Sequence, residues 1–270
     1  MRHAIQLLIL LCAFVVCARL PTHGCTIFVA ARDGIVLAGN NEDNAVTFNP
    51  DTRIWFLPPE HDRYGIMFLG YADGIPQGGM NDHGLFFDGA TLPTGAQLLL
   101  GDRNGKTAIL EFTPEKHSAA PKGEGNQLLD TMMSHCATVE EALGVLTPWL
   151  DQLGARYHVL RGAGDYQVAT NFQQSITPPG KITCKRYQAA TKMLSERSPL
   201  SVDLFRSILQ ATHQVGQEGP VTTFYSNICD LKNGVIYLYY RGDFDKVVEL
   251  HLAEELKKGR HELRFSECFK

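Results

Sequence analysis

The chain has 270 residues, 44% of them hydrophobic and 20% charged, with a formal net charge of −4. That balance buries a core and excludes an intrinsically disordered protein. No Lys/Arg run offsets the acidic excess, so a nucleic-acid partner is not expected.

In chain order, Arg2 and His3 precede a nearly unbroken apolar run from Ala4 to Cys17, then Ala18, Arg19, Leu20, Pro21, Thr22, His23 and Gly24. At about 14 residues the run is shorter than the roughly 20 a spanning helix needs, and it reads as a secretory signal peptide over residues 1–24. Cleavage after Ala18 would leave residues 19–24 as a short propeptide, and cleavage after Gly24 would release Cys25 directly. The expected location is secreted or periplasmic, with no stable membrane anchor. Removal takes away Arg2 and Arg19 and no acid, so the mature chain is two units more negative.

Cys25 would then be the first residue of a single domain spanning 25–270. A cysteine at a free N-terminus carries its thiol and its α-amine on one residue, which joins nucleophile and general base by covalent geometry. Of seven cysteines, Cys12 and Cys17 leave with the signal. Cys136, Cys184, Cys229 and Cys268 are then expected to form up to two disulfides, with Cys25 the odd, reactive one. No Cys-x-x-Cys occurs, and His213, His251 and His261 lack acids or cysteines at ligand spacing, so neither a metal nor another cofactor is expected.

Strand signals open the mature chain: Thr26 to Ala31 and Ile35 to Ala38 flank the hairpin turn Asp33-Gly34. Further strands are predicted at Arg53 to Phe56, Ile66 to Gly70, Leu85 to Ala90 and Thr107 to Phe112. The middle turns helical, with a helix at Gln127 to His135 and another opened by the capping box Thr138-Val139-Glu140-Glu141 and running through Leu150. Strands at Tyr157 to Leu160 and Tyr166 to Thr170 precede helices at Tyr187 to Ser195 and Val202 to His213. Strands at Thr222 to Cys229, Val235 to Tyr240 and Val247 to Leu252 close the chain, the first two joined at an Asn233-Gly234 turn. Strands at both ends with helices grouped between them predict an α+β layered fold. Phe28, Phe56, Phe68, Phe86 and Phe87 lie on the early strands and suggest a pocket for an apolar acyl group.

Several segments resemble one family. Cys25-Thr26, Gly39-Asn40-Asn41-Glu42-Asp43, Gly79-Met80-Asn81-Asp82-His83-Gly84-Leu85, Asp102-Arg103-Asn104-Gly105 leading to Glu111, Thr170-Asn171, Lys185-Arg186-Tyr187 and Thr223-Phe224-Tyr225-Ser226-Asn227 with Asp230-Leu231 occur in the order found in the choloylglycine hydrolases. These are the linear-amide N-terminal nucleophile hydrolases that include conjugated bile acid hydrolases and penicillin V acylases. The resemblance covers most of the mature chain. It implies an N-terminal nucleophile hydrolase fold, a four-layer αββα sandwich. It also implies an amidohydrolase that cuts a linear, non-peptide carbon–nitrogen bond through a Cys25 thioester, with a small N-acyl amide as its partner molecule. A homo-oligomer is compatible with it.

The resemblance also implies roles. Cys25 attacks, Asp43 holds the α-amine, Asn171 donates to the oxyanion, and Arg186 lowers the thiol pKa or orients the amine site. Two positions depart from the pattern. Asn40 stands where the family has an Arg beside the nucleophile, and can bond but not supply charge. Thr91 stands where a second oxyanion Asn is expected, with its hydroxyl or backbone as the substitute. Two other readings stay open: an acyltransferase that resolves the thioester with an amine, and a non-catalytic exported binding protein on the same fold.

Overall fold

The computed structural model describes residues 24–48, 50–113, 124–216 and 220–270, with the chain uncut between Gly24 and Cys25. The signal-peptide reading lies outside the described residues except for Gly24.

The chain starts with the hairpin β1 (Thr26–Arg32) and β2 (Ile35–Ala45). Its turn needs two left-handed residues, and Asp33 (φ 51°) and Gly34 (φ 80°) supply them. Seven strands follow: β3 (Thr52–Leu57), β4 (Ile66–Tyr71), β5 (Pro76–Asn81), β6 (Phe86–Leu92), β7 (Gly95–Gly101), β8 (Thr107–Thr113) and, after helices α1 (Glu124–His135) and α2 (Val139–Gln152), β9 (Arg156–Arg161). The second half holds β10 (Tyr166–Ala169), α3 (Lys185–Ser195), α4 (Val202–Thr212), β11 (Val221–Asp230), β12 (Val235–Tyr240), β13 (Asp243–His251), α5 (Leu252–Lys257) and β14 (His261–Arg264).

The strands form two antiparallel sheets. One has six strands in the order β10-β1-β2-β11-β12-β13, and the other has eight in the order β14-β3-β4-β5-β6-β7-β8-β9. Three apolar layers hold them. Ile27, Val29, Met67, Leu69, Phe86, Leu99 and Ile109 fill the space between the sheets. α1 and α2 cover the outer face of the eight-stranded sheet through Met132, Met133, Leu143 and Leu146 against Phe68, Phe87 and Leu110. α3 and α4 cover the six-stranded sheet through Leu194, Phe205 and Leu209 against Phe28, Leu37 and Ile228. This is the expected αββα sandwich.

Several expectations are corrected in detail. β2 runs seven residues beyond the predicted end at Ala38, because its polar second half pairs with both β1 and β11. β5, β7, β14 and α5 carry no strong local signal and are set by their neighbours. In β5, Gly78 and Gly79 leave room that Asp88 of β6 and the Met67 carbonyl of β4 occupy. The turn at Asn233-Gly234 is a four-residue loop, 231–234, closed by Gly234 N–H on the Asp230 carbonyl at 2.9 Å. The expected disulfides are absent among the described residues, where all five cysteines are free. Cys229 lies between the sheets and Cys136 under α1 and α2, in different layers. The five phenylalanines line no single pocket. Phe56 and Phe86 pack between the sheets, Phe68 and Phe87 under α1 and α2, and Phe28 under α4.

Candidate active site

Cys25 immediately precedes β1, and the register that pairs Thr26 with Asn41 brings it opposite Glu42. Alternation along the strands sends Cys25, Asn40, Glu42 and Tyr225 into the layer between the sheets, and Asn41 and Asp43 to the helical side. Around Cys25 this layer is polar. The Cys25 thiol donates to Glu42 Oε2 at 3.3 Å, and the Asp43 main-chain N–H donates to Sγ. Tyr71 OH donates to Glu42 Oε1 at 2.6 Å, and Asn40 Nδ2 donates to Oε2 at 3.4 Å. Asp88 of β6 is fully buried nearby.

Burial dominates the electrostatics here. It pushes the Cys25 thiol well above its ordinary value, and the charges of Glu42, Asp88 and Asp43 push the same way. Burial also raises Glu42 to about 7, against the hydrogen bonds from Tyr71 and Cys25 that favour its ionised form. A thiol in this setting is not a standing thiolate. It ionises only as a base takes its proton.

The second group gathers on the helical side. Arg186, in the first turn of α3, reaches the start of the chain. Its Nη1 donates to the Gly24 carbonyl at 2.5 Å, the Cys25 carbonyl at 3.0 Å and Thr26 Oγ1 at 2.8 Å, and its Nη2 donates to Asn171 Oδ1 at 2.9 Å. Nη1 also lies 3.5 Å from Asp43 Oδ2. Asp43 accepts from Gln214 Nε2 at 2.8 Å and from the Thr223 hydroxyl. Its carboxyl is raised to about 6 by burial, opposed by the Arg186 charge. Asn171, just after β10, donates from Nδ2 to the Thr91 carbonyl at 2.8 Å.

Four of the six residues singled out from sequence therefore meet around the Gly24–Cys25 peptide, Cys25, Asp43, Asn171 and Arg186, while Asn40 is linked to the thiol only by way of Glu42. Thr91 joins through its main chain, as an acceptor. It cannot donate to an oxyanion from that carbonyl, and β6 alternation places Ala90 rather than Thr91 between the sheets. Asp43 contacts the Cys25 thiol through its own N–H and reaches the Gly24–Cys25 main chain by way of Arg186. Sequence reasoning missed Glu42, Tyr71, Gln214 and Thr223. A signal for Glu42 was present: once β2 is carried past Asn40, period-two alternation puts Glu42 on the face of Cys25.

No family model matches the chain, and no curated protein does. Solved structures do. A variant of conjugated bile acid hydrolase from Clostridium perfringens superposes with a TM-score of 0.56 at 13% identity, over 88% of this chain and 96% of that one. Penicillin V acylase from Agrobacterium tumefaciens gives 0.52 at 12% identity, over 89% and 91%. At such identities the likeness speaks for the fold. With two antiparallel sheets stacked between helical layers and a cysteine at the head of β1, this chain has the N-terminal nucleophile hydrolase fold, as do those two enzymes.

Proposed function

We propose that this protein is an amide hydrolase that cuts a linear, non-peptide carbon–nitrogen bond through Cys25 once residues 1–24 are gone. The observation that carries the reading is the convergence of Arg186, Asn171 and Asp43 on the main chain at Cys25, with the thiol itself in a polar pocket of the inter-sheet layer. The two fold neighbours, named as a hydrolase of conjugated bile acids and an acylase of penicillin V, support the same reaction class.

With Gly24 removed, the Cys25 amine replaces an amide nitrogen. A reference pKa of about 7.7 to 8.0 suits it to take the thiol proton and return it to the leaving amine. Sγ attacks the substrate carbonyl carbon, the carbon–nitrogen bond breaks to give a thioester, and water releases the acid. Arg186 Nη1 and Asn171 Nδ2, which hold the Gly24 and Thr91 carbonyls in the uncut chain, are the donors available to a developing oxyanion. Asp43 balances the Arg186 charge and would hold the new ammonium. Asn40 brings no charge beside the nucleophile, so neither bile salts nor penicillin V are assigned as substrates.

The test is a panel of N-acyl amides against protein whose N-terminus has been sequenced. Chains beginning at Cys25 are expected to release acid and amine and to take up one equivalent of a thiol-reactive acyl electrophile. Cys25→Ala should fall below about one-thousandth of that turnover. Full activity in Cys25→Ala, or in chains that retain Gly24, would reject the reading. Product analysis with added amine separates hydrolysis from acyl transfer.

A further inference from the structure

Until Gly24 is removed, the Cys25 nitrogen is an amide and cannot act as a base. The thiol nevertheless already faces a proton acceptor of its own, and the carbonyl next to it is already gripped. Glu42 Oε2 lies 3.3 Å from Sγ, and Arg186 Nη1 lies 2.5 Å from the Gly24 oxygen. We propose that Glu42 is the base that takes the Cys25 thiol proton while the Gly24–Cys25 bond is intact, so that the chain cuts itself there before its α-amine exists to take over. The proposal rests on Cys25 as the nucleophile of the function above.

The step balances within the chain plus one water. The Sγ proton passes to Glu42, and Sγ bonds to the Gly24 carbonyl carbon through a five-membered ring while Arg186 faces the oxyanion. Glu42 returns the proton to the Cys25 nitrogen as the carbon–nitrogen bond breaks. This leaves the acyl group of Gly24 on Sγ as a thioester and frees the amine. Water then hydrolyses the thioester, releasing a carboxylate at Gly24 and the thiol at Cys25. Gly24 suits the position, since a Cβ there would fall on the Asn171 amide that Thr91 and Arg186 hold.

Glu42 is also tuned for the task. The groups that face it are Cys25 from the start of the chain, Asn40 and Asp43 on β2, Tyr71 on β4, Asp88 on β6 and Tyr225 on β11, and no Lys or Arg hydrogen-bonds or pairs with it among the described residues. Its carboxyl, raised to about 7, exchanges a proton near neutral pH. A separate base for each stage explains why a second acid sits on the nucleophile beside Asp43.

The full chain, made in a translation mixture of purified components and followed by intact mass, tests this. Wild type is expected to lose everything through Gly24 and Cys25→Ala to stay whole. Glu42→Gln should cut about 100-fold more slowly or worse. The wild-type rate should rise with pH and level off above about 7, the value to which Glu42 is raised. Tyr71→Phe removes a donor that favours ionised Glu42, so it should move that rise to higher pH.

Four results overturn the proposal: Glu42→Gln cutting at the wild-type rate, a wild-type chain that stays whole, a Cys25→Ala chain that is cut, or a rate still climbing tenfold per unit beyond pH 8. If Glu42→Gln fails to fold, the wild-type profile and the Tyr71→Phe shift still decide. A self-cut chain inert on every N-acyl amide would reject the hydrolase function and leave this proposal standing. A chain that turns over amides while its Glu42→Gln variant cuts normally would reject only this proposal.

Discussion

Glycine 24 carries a constraint that belongs to the uncut chain. Adding a methyl group there pushes into Asn171 Nδ2, and that amide cannot swing away without losing the Thr91 carbonyl and the Arg186 guanidinium. Gly24→Ala in a Cys25→Ala background should therefore lower stability by about 1–3 kcal/mol, measured by urea denaturation. An unchanged midpoint would mean that Asn171 is freer than its bonds indicate. At this scale the sequence was informative about residues whose type is chemically unusual in context. A cysteine soon after a long apolar run, an acid past the predicted first hairpin, and an Arg in the first turn of a later helix could all be picked out. Glu42 could not, because its importance comes from facing. Ending β2 at Ala38 left Glu42 in a loop with no face at all, whereas the paired strand sets it on the thiol.

Elements are joined by residues of the motifs that resemble the choloylglycine hydrolases, and those residues turn out to be structural pins. Asn81, at the end of β5, donates to the Met133 and Cys136 carbonyls at the end of α1 and accepts from the His83 and Leu85 N–H groups. Asp102, after β7, accepts from Asn104 and Lys106 N–H with one oxygen and from Val139 N–H, the first residue of α2, with the other. One motif thus satisfies orphan carbonyls at a helix C-terminus and the other an orphan N–H at an N-terminus. Asn81→Ala should cost on the order of 3 kcal/mol, since three buried bonds and one half-buried bond go at once. Thr138→Ala, which breaks only the capping box of α2, should cost about 1 kcal/mol. Chemical denaturation of both variants checks the order, and equal losses would contradict it. The capping box was legible because its signal lies within four consecutive residues. β5 was not, because Pro76, Gly78 and Gly79 argue against a strand locally. Its pairing to β4 and β6 overrides them.

Across the whole molecule, three buried acids set how stability follows pH. Folding raises Glu42 from 4.5 to about 7, Asp43 from 3.8 to about 6 and Asp88 well above its ordinary 3.8. Between those values the folded chain holds more protons than the unfolded one, so stability falls as pH rises and is fully present only below about 4. The uncut Cys25→Ala chain should therefore melt about 5 °C or more lower at pH 8 than at pH 5, and adding Glu42→Gln should flatten part of that slope, Asp43 and Asp88 keeping the rest. A melting point that climbs with pH over this range would show the acids to be ionised in the fold. The layer order was legible from the grouping of strands and helices. The order of strands within each sheet was not, since β1 lies between β10 and β2 and no local pattern specifies pairing across more than a hundred residues.

That strand order also bears on when, during synthesis, the thiol becomes competent. Cys25 leaves the ribosome early, but β1 sits inside its sheet, and Asn171, Arg186, Gln214 and Thr223 arrive only in the second half of the chain. Pairings this distant form slowly and late. A nascent polypeptide released before Arg186 lacks the guanidinium that holds the bond to be broken, however long it waits. If the chain cuts itself, the trimmed amino terminus is a record of completed folding. Counting new cysteine termini in an extract would then count finished molecules.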